Sequence, residues 1–220
     1  VELIASGRAS SVFALDDRRV LRRCQWNVAQ EARLMRHLAR NAYPVPEVYE
    51  VAGGDMVMER LYGPTLAESI MTGRTAPESA AEILDGLLDR LRGVPVPDWL
   101  PTEARGVDFR ADASPSVLHL DLHPENVVIT GDGPVVIDWT NAAAGDHAVD
   151  RAVSWVILAE IDPEPLGPQA DALEPLLDAL REGLSEIALA TALRFREADP
   201  HLSAAERERA SARAARLTWP

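Results

Sequence analysis

His119-Leu120-Asp121-Leu122-His123-Pro124-Glu125-Asn126, followed after one short hairpin by Val135-Val136-Ile137-Asp138-Trp139, is the stretch on which the reading of this chain turns. Its polar residues keep the spacing H-x-D-x-x-x-x-N and lie between apolar runs at 117–120 and 127–129. Polar side chains in a loop between hydrophobic strands are expected to be aimed by a rigid scaffold. The runs 127–129 and 135–137 read as a hairpin around Gly131-Asp132-Gly133, which would return Asn126 and Asp138 to one end of a sheet.

The chemistry this pattern suits is phosphoryl transfer. That reaction needs a carboxylate beside the attacking hydroxyl and oxygen ligands for the magnesium ion that neutralises the phosphates. Asp121 is the candidate base. Asn126, through its amide oxygen, and Asp138, through its carboxylate, are the candidate Mg2+ ligands, hard donors of the kind magnesium takes. A second reading uses His119, Asp121 and His123, which alternate and would share one face of a strand, as ligands of a transition metal in a hydrolase. Pro124 argues that the strand has already ended there.

Outward from this loop the chain changes character. Residues 1–5, 12–15, 20–22, 47–52 and 56–59 read as strands, with hairpin turns at Asp16-Asp17 and Gly53-Gly54-Asp55. Residues 26–40 have helical spacing, with Val28, Met35 and Leu38 on one face, and Pro44 and Pro46 close the segment. Beyond Gly63 helices dominate. Thr75-Ala76-Pro77-Glu78 reads as a helix start with a capping box, followed by Ile83, Leu84, Leu87, Leu88 and Leu91 at helical spacing. Residues 93–115 are a proline-rich connection. From Ala148 onward the chain reads as helical and alanine-rich, interrupted at Pro163, Pro165, Pro168 and Pro200. The expected layout is an α+β protein: a sheet lobe with one helix over residues 1–60, a hinge at 59–63, and a helical lobe over residues 61–220.

Composition sets bounds. The net charge is -13, from 22 basic and 35 acidic residues in a chain of 220, which disfavours nucleic acid as a partner and favours a cationic one. The single cysteine, Cys24, fits a reducing compartment. It stands beside Arg22 and Arg23, which could lower its pKa, although a structural role near a strand end is the expectation. The longest apolar stretch, near 153–159, is too short to span a bilayer, the opening residues lack a signal-peptide pattern, and a cytoplasmic protein is the expectation. The oligomeric state is not legible. Neither a P-loop signature nor a G-x-S-x-G elbow is present.

The segment from His119 to Asp138 resembles the catalytic segment of the aminoglycoside phosphotransferase and choline kinase family, a branch of the protein-kinase-like fold. The H-x-D-x-x-x-x-N loop carries His123-Pro124 where the family often has His-Pro, Ile137-Asp138-Trp139 matches its I-D-[WF], and Gly145-Asp146-His147-Ala148-Val149-Asp150 matches its G-D-x-x-x-D. The resemblance implies a two-lobed protein-kinase-like fold, with a small antiparallel-sheet N-lobe carrying one helix and a larger helical C-lobe. It implies an ATP- or GTP-dependent transfer of the γ-phosphate to a hydroxyl of a small molecule: an aminoglycoside-like compound, an amino alcohol or a sugar. It further implies that Asp150 and His119 are structural, Asp150 holding the catalytic loop by hydrogen bonds.

A kinase-like fold also predicts a basic residue on the third strand paired with a glutamate on the next helix. Arg22 and Glu31 are the candidates, with Arg22 standing where most kinases carry lysine. Glu31 falls in the apolar stripe of its own helix, where a carboxylate needs a partner. Ser10 and Ser11 lie in the place of the phosphate-covering loop and offer donors to phosphate. Glu59, Arg60 and Leu61 lie in the place of the hinge whose main chain reads adenine. Asp146, Glu160 and Asp162 could line an acceptor pocket. The arginine at the lysine position and the glycine-poor loop motivate the alternative of a catalytically silent, kinase-like nucleotide-binding protein.

Overall fold

The computed structural model describes residues 2–6, 10–111 and 114–219. Two compact units emerge: Val1–Pro64 with Val128–Thr140, and Thr65–Val127 with Asn141–Pro220. The segment 128–140 therefore belongs with the strand-rich residues. The expected boundary near residue 60 had placed it among the helices.

In the first unit, β1 (Glu2–Ser6), β2 (Ser10–Ala14), β3 (Arg19–Cys24), β4 (Val48–Ala52) and β5 (Asp55–Glu59) form one antiparallel sheet in the order β1-β2-β3-β5-β4. The β2–β3 turn closes because the Asp16 carboxylate accepts the Arg18 and Arg19 amides at 2.9 and 2.8 Å, a local bond that aspartate offers in turns. Helix α1 (Ala29–Arg40) starts three residues later than its spacing suggests. Asn27 explains the delay: its side chain takes the Ala29 amide at 2.8 Å. Val28, Ala32, Leu34, Met35 and Leu38 are buried.

The second unit is built on helices. Helix α2 (Leu66–Met71) has a complete capping box between Thr65 and Glu68. Helix α3 (Pro77–Arg92) does not use the box expected at Thr75 and Glu78. Its N-cap is Ala76, with Pro77 in the first turn, and the Thr75 amide is donated instead to the Ser69 carbonyl. Within the proline-rich connection, β6 (Glu103–Ala104) pairs with β7 (Val107–Asp108). Strand β8 (Ser116–Leu118) leads into the polar loop. The expected hairpin forms from β9 (Val127–Thr130) and β10 (Gly133–Val136), and β11 (Ala143–Gly145) returns antiparallel to β8.

Helices α4 (His147–Glu160), α5 (Leu173–Arg181), α6 (Glu186–Glu197) and α7 (Ala204–Ala214) complete the chain. Pro163, Pro165 and Pro168 separate α4 from α5, and Pro200 separates α6 from α7, whereas α5 and α6 part at Gly183, which has φ 79°. The apolar run of α4 is core: every residue from Ala152 to Glu160 is buried. Among the described residues, no helix is long and apolar enough to cross a membrane.

Candidate active site

In the second unit the polar loop is held from behind. Leu120 has φ 60°, the left-handed region that a branched side chain occupies only under strain. Asp150, reached from the first turn of α4, supplies the restraint. Its carboxylate accepts the His119 amide at 2.9 Å and the Leu120 amide at 2.7 Å. Burial pushes its pKa up to about 6, against the pull of those two amides. His119 is fully buried and its Nδ1 accepts the Asp121 amide at 3.2 Å. Both residues thus do the structural work that the resemblance implies. Among the described residues, no group of three His, Cys, Asp or Glu is arranged to hold a metal ion.

A short 3-10 turn at Pro124–Asn126 brings Asn126 back onto Asp121. Its Nδ2 donates to the Asp121 carbonyl at 2.9 Å and lies 3.4 Å from Asp121 Oδ2 and 3.2 Å from His123 Nε2. The donor side of the amide is thereby turned toward Asp121. Asp121 Oδ1 is flanked by His123 Nε2 at 4.0 Å and by Arg196 Nη1, from α6, at 3.9 Å.

In the first unit Arg22 and Glu31 do pair, and both are buried. Arg22 is bound more widely than the sequence suggests. Its Nη2 donates to Asp138 Oδ1 at 3.0 Å and to Thr140 Oγ1 at 3.1 Å, and the Thr140 hydroxyl donates to the same Asp138 oxygen at 2.7 Å. Asp138 has φ 61°, a second strained residue. The turn is secured by the Trp139 amide, which donates to Glu31 Oε1 at 3.1 Å, and by the buried Trp139 ring, edge-on to Tyr43 at 5.5 Å.

Burial pushes the Glu31 carboxyl upward, and Arg22 pulls it back. Burial also works against the Arg22 charge, but Glu31 and Asp138 hold the guanidinium above its ordinary value. Cys24 follows burial as well: its thiol is pushed up despite Arg22.

The remaining expected residues are placed less pointedly. Ser10 and Ser11 stand in β2, opposite Cys24 and Arg23. The rest of that turn, residues 7–9, lies outside the described residues. The amides of Glu59 and Arg60 are donated to the Glu47 and Arg18 carbonyls at 2.8 and 2.9 Å. Three suggested acceptor-pocket carboxylates have local partners. Asp146 caps α4, Glu160 binds Arg196, and Asp162 accepts the Glu164 amide. Sequence reading passed over Thr140 and Arg196. A hydroxyl two residues after Asp138 was a usable signal for the first. Arg196 had none, because its partners come from other elements.

Several known proteins share this architecture. Aminoglycoside phosphotransferase APH(4)-Ia superposes with a TM-score of 0.65 at 17% identity, over 96% of this chain and 91% of that one. The ternary complex of streptomycin, ATP and APH(2")-IIa gives 0.61 at 15%, over 89% and 82%. A choline/ethanolamine kinase family protein from Mesorhizobium loti gives 0.56 at 18%, over 96% and 84%. At such identities the likeness establishes the protein-kinase-like fold.

Among curated proteins, the thiamine kinase of Salmonella paratyphi B is 46% identical over 39 residues, or 18% of this chain, and the match spans only 14% of that relative. The model of the phosphotransferase enzyme family matches residues 72–186, over half of the chain. That span includes Asp121, Asn126, Asp138 and Asp150, and this chain is a member of the phosphotransferase enzyme family.

Proposed function

We propose that this protein transfers the γ-phosphate of ATP, or of GTP, to a hydroxyl of a small molecule, with Asp121 as the base. The observation that carries the reading is the way Asp121 is held. Its loop is fixed in a strained conformation by Asp150, and its own carbonyl is tied to Asn126 at 2.9 Å. Strain kept in place by buried bonds is a mark of functional loops.

Asp121 accepts the proton of the acceptor hydroxyl. The acceptor oxygen forms its bond to the γ-phosphorus as the bond from that phosphorus to the β,γ-bridging oxygen breaks, and the nucleoside diphosphate leaves. Asn126 and Asp138 are the residues that would hold magnesium. The chemistry of the donors suits it: an amide and a carboxylate each carry the hard oxygen that magnesium takes, and the Asp138 side chain is 42% exposed. Magnesium, when bound, neutralises charge on the phosphates. Arg22 would steady the phosphates, held in turn by Glu31, and main-chain groups of the run Glu59–Leu61 would read the adenine edge. The phosphate supply and the unpaired thiol suit the cytoplasm.

For the acceptor, the acidic composition favours a cation. Aminoglycosides, amino alcohols such as choline, and thiamine form the first panel, with sugars as neutral members. The test is nucleotide consumption with this panel, for the wild type and Asp121→Asn. Removing the base is expected to lower turnover by about 10²- to 10⁴-fold while nucleotide binding persists. Nucleotide-dependent thermal stabilisation with no turnover on any acceptor would instead favour the silent binding protein.

A further inference from the structure

Asp121 Oδ1 has a cation beside it that comes from far along the chain. Arg196, in the last turn of α6, is clamped by Glu160 at the end of α4, with Nε to Oε1 at 3.0 Å and Nη2 to Oε2 at 2.7 Å. The remaining nitrogen, Nη1, is 3.5 Å from Asp199 Oδ2 and 3.9 Å from Asp121 Oδ1. The side chains of Arg196 and Glu160 are only 12% and 6% exposed. Asp199 is itself held by Arg105 at 3.2 Å, and Arg105 stacks over the Phe195 ring at 4.6 Å.

Helix α7 braces the far side of the clamp. Arg209 and Arg213 donate to the Glu160 and Ala159 carbonyls, each at 2.7 Å. A two-point pair with Glu160 would already satisfy a structural arginine. Burying a charge group of this size is costly compared with apolar packing. What it achieves here is a guanidinium with one edge fixed and the other turned to the candidate base.

We propose that Arg196 is a positioning residue for Asp121: held by Glu160 and Asp199, it orients the carboxylate that receives the acceptor proton. The inference rests on Asp121 being the base. It concerns a residue outside the span matched by the family. Geometry of this kind acts on the chemical step, because small displacements of a reacting group lower the rate without weakening binding.

The experiment compares Arg196→Met/Glu160→Gln, Arg196→Lys and Asp121→Asn in MgATP turnover with the acceptor panel and with water. Pairing the methionine with Glu160→Gln avoids a lone buried carboxylate. The double variant is expected to lose about 10- to 100-fold in kcat, with KM for ATP and acceptor within about twofold of wild type. Arg196→Lys, which keeps the charge without the fork, is expected to recover part of the loss. Millimolar guanidinium should also restore some turnover to the double variant.

A double variant that folds and keeps wild-type kcat overturns the positioning role, and an inactive Asp121→Asn beside it leaves the base assignment standing. A rise in KM with kcat unchanged overturns it as well. Normal turnover of Asp121→Asn would instead remove the base assignment, and the inference with it. If the double variant does not fold, Arg196→Lys decides: reduced kcat at unchanged KM supports the role, and wild-type kcat refutes it.

Discussion

Asp150 holds two amides of the polar loop from a position that is 2% exposed. Its pKa is raised from 3.8 to about 6, so the folded state binds its proton more readily than the unfolded state does. The stability this group contributes is therefore complete below about pH 4 and is lost as pH rises through 6, by about 3 kcal/mol. Urea unfolding between these limits should show wild type losing ground to Asp150→Asn as pH increases. Parallel stability curves for the two proteins would contradict the raised pKa. Glu31 poses the complementary case. It receives both Arg22 and the Trp139 amide, so Glu31→Ala deprives a buried guanidinium of its buried carboxylate and leaves that amide without its acceptor. The expected loss is about 3 to 5 kcal/mol, measurable by chemical denaturation.

At the scale of elements, close backbone approaches decide what a substitution does. A Cβ on Gly145 of β11 would meet the Phe109 carbonyl oxygen at 2.1 Å. Gly145→Ala should therefore cost about 2 kcal/mol or more and disturb the β8–β11 pair. Gly86, inside α3, faces open space, and Gly86→Ala should raise stability by about 0.5 to 1 kcal/mol through helix propensity alone. Thermal melts of the two variants should move in opposite directions.

Elements of this kind were partly legible in advance. The sheet, the hairpin after Asn126 and α1 follow from alternation, turn residues and periodicity, all local signals. The capping box at Thr75 misread a local signal: Ser69, six residues back, takes its amide, and Pro77 lets the helix start one residue later. Asp121, Asn126 and Asp138 were legible because their spacing is fixed within one segment. Arg196 was not, since nothing near it in sequence tells that α4 and α6 will bring it to Glu160 and Asp121.

For the whole molecule, the charge of -13 makes a prediction about encounter. A polycationic acceptor should bind less well as salt screens the field, with KM rising several-fold between roughly 50 and 300 mM salt, while a neutral sugar should be nearly indifferent. Equal salt dependence for both would remove charge as a guide to the acceptor.

The division of the chain has a separate result during synthesis. The first unit ends at Pro64 and resumes at Val128, and two of its carbonyls, at Pro44 and Pro64, accept the amides of Val136 and Ile129, each at 2.9 Å. A nascent chain leaving the ribosome in order cannot close this unit when the fifth strand emerges. It must wait, with Tyr43 lacking its edge-on tryptophan, until translation has passed Thr140. Stalled chains ending before the second segment should be cut readily by protease within α1, and chains stalled well beyond it should resist.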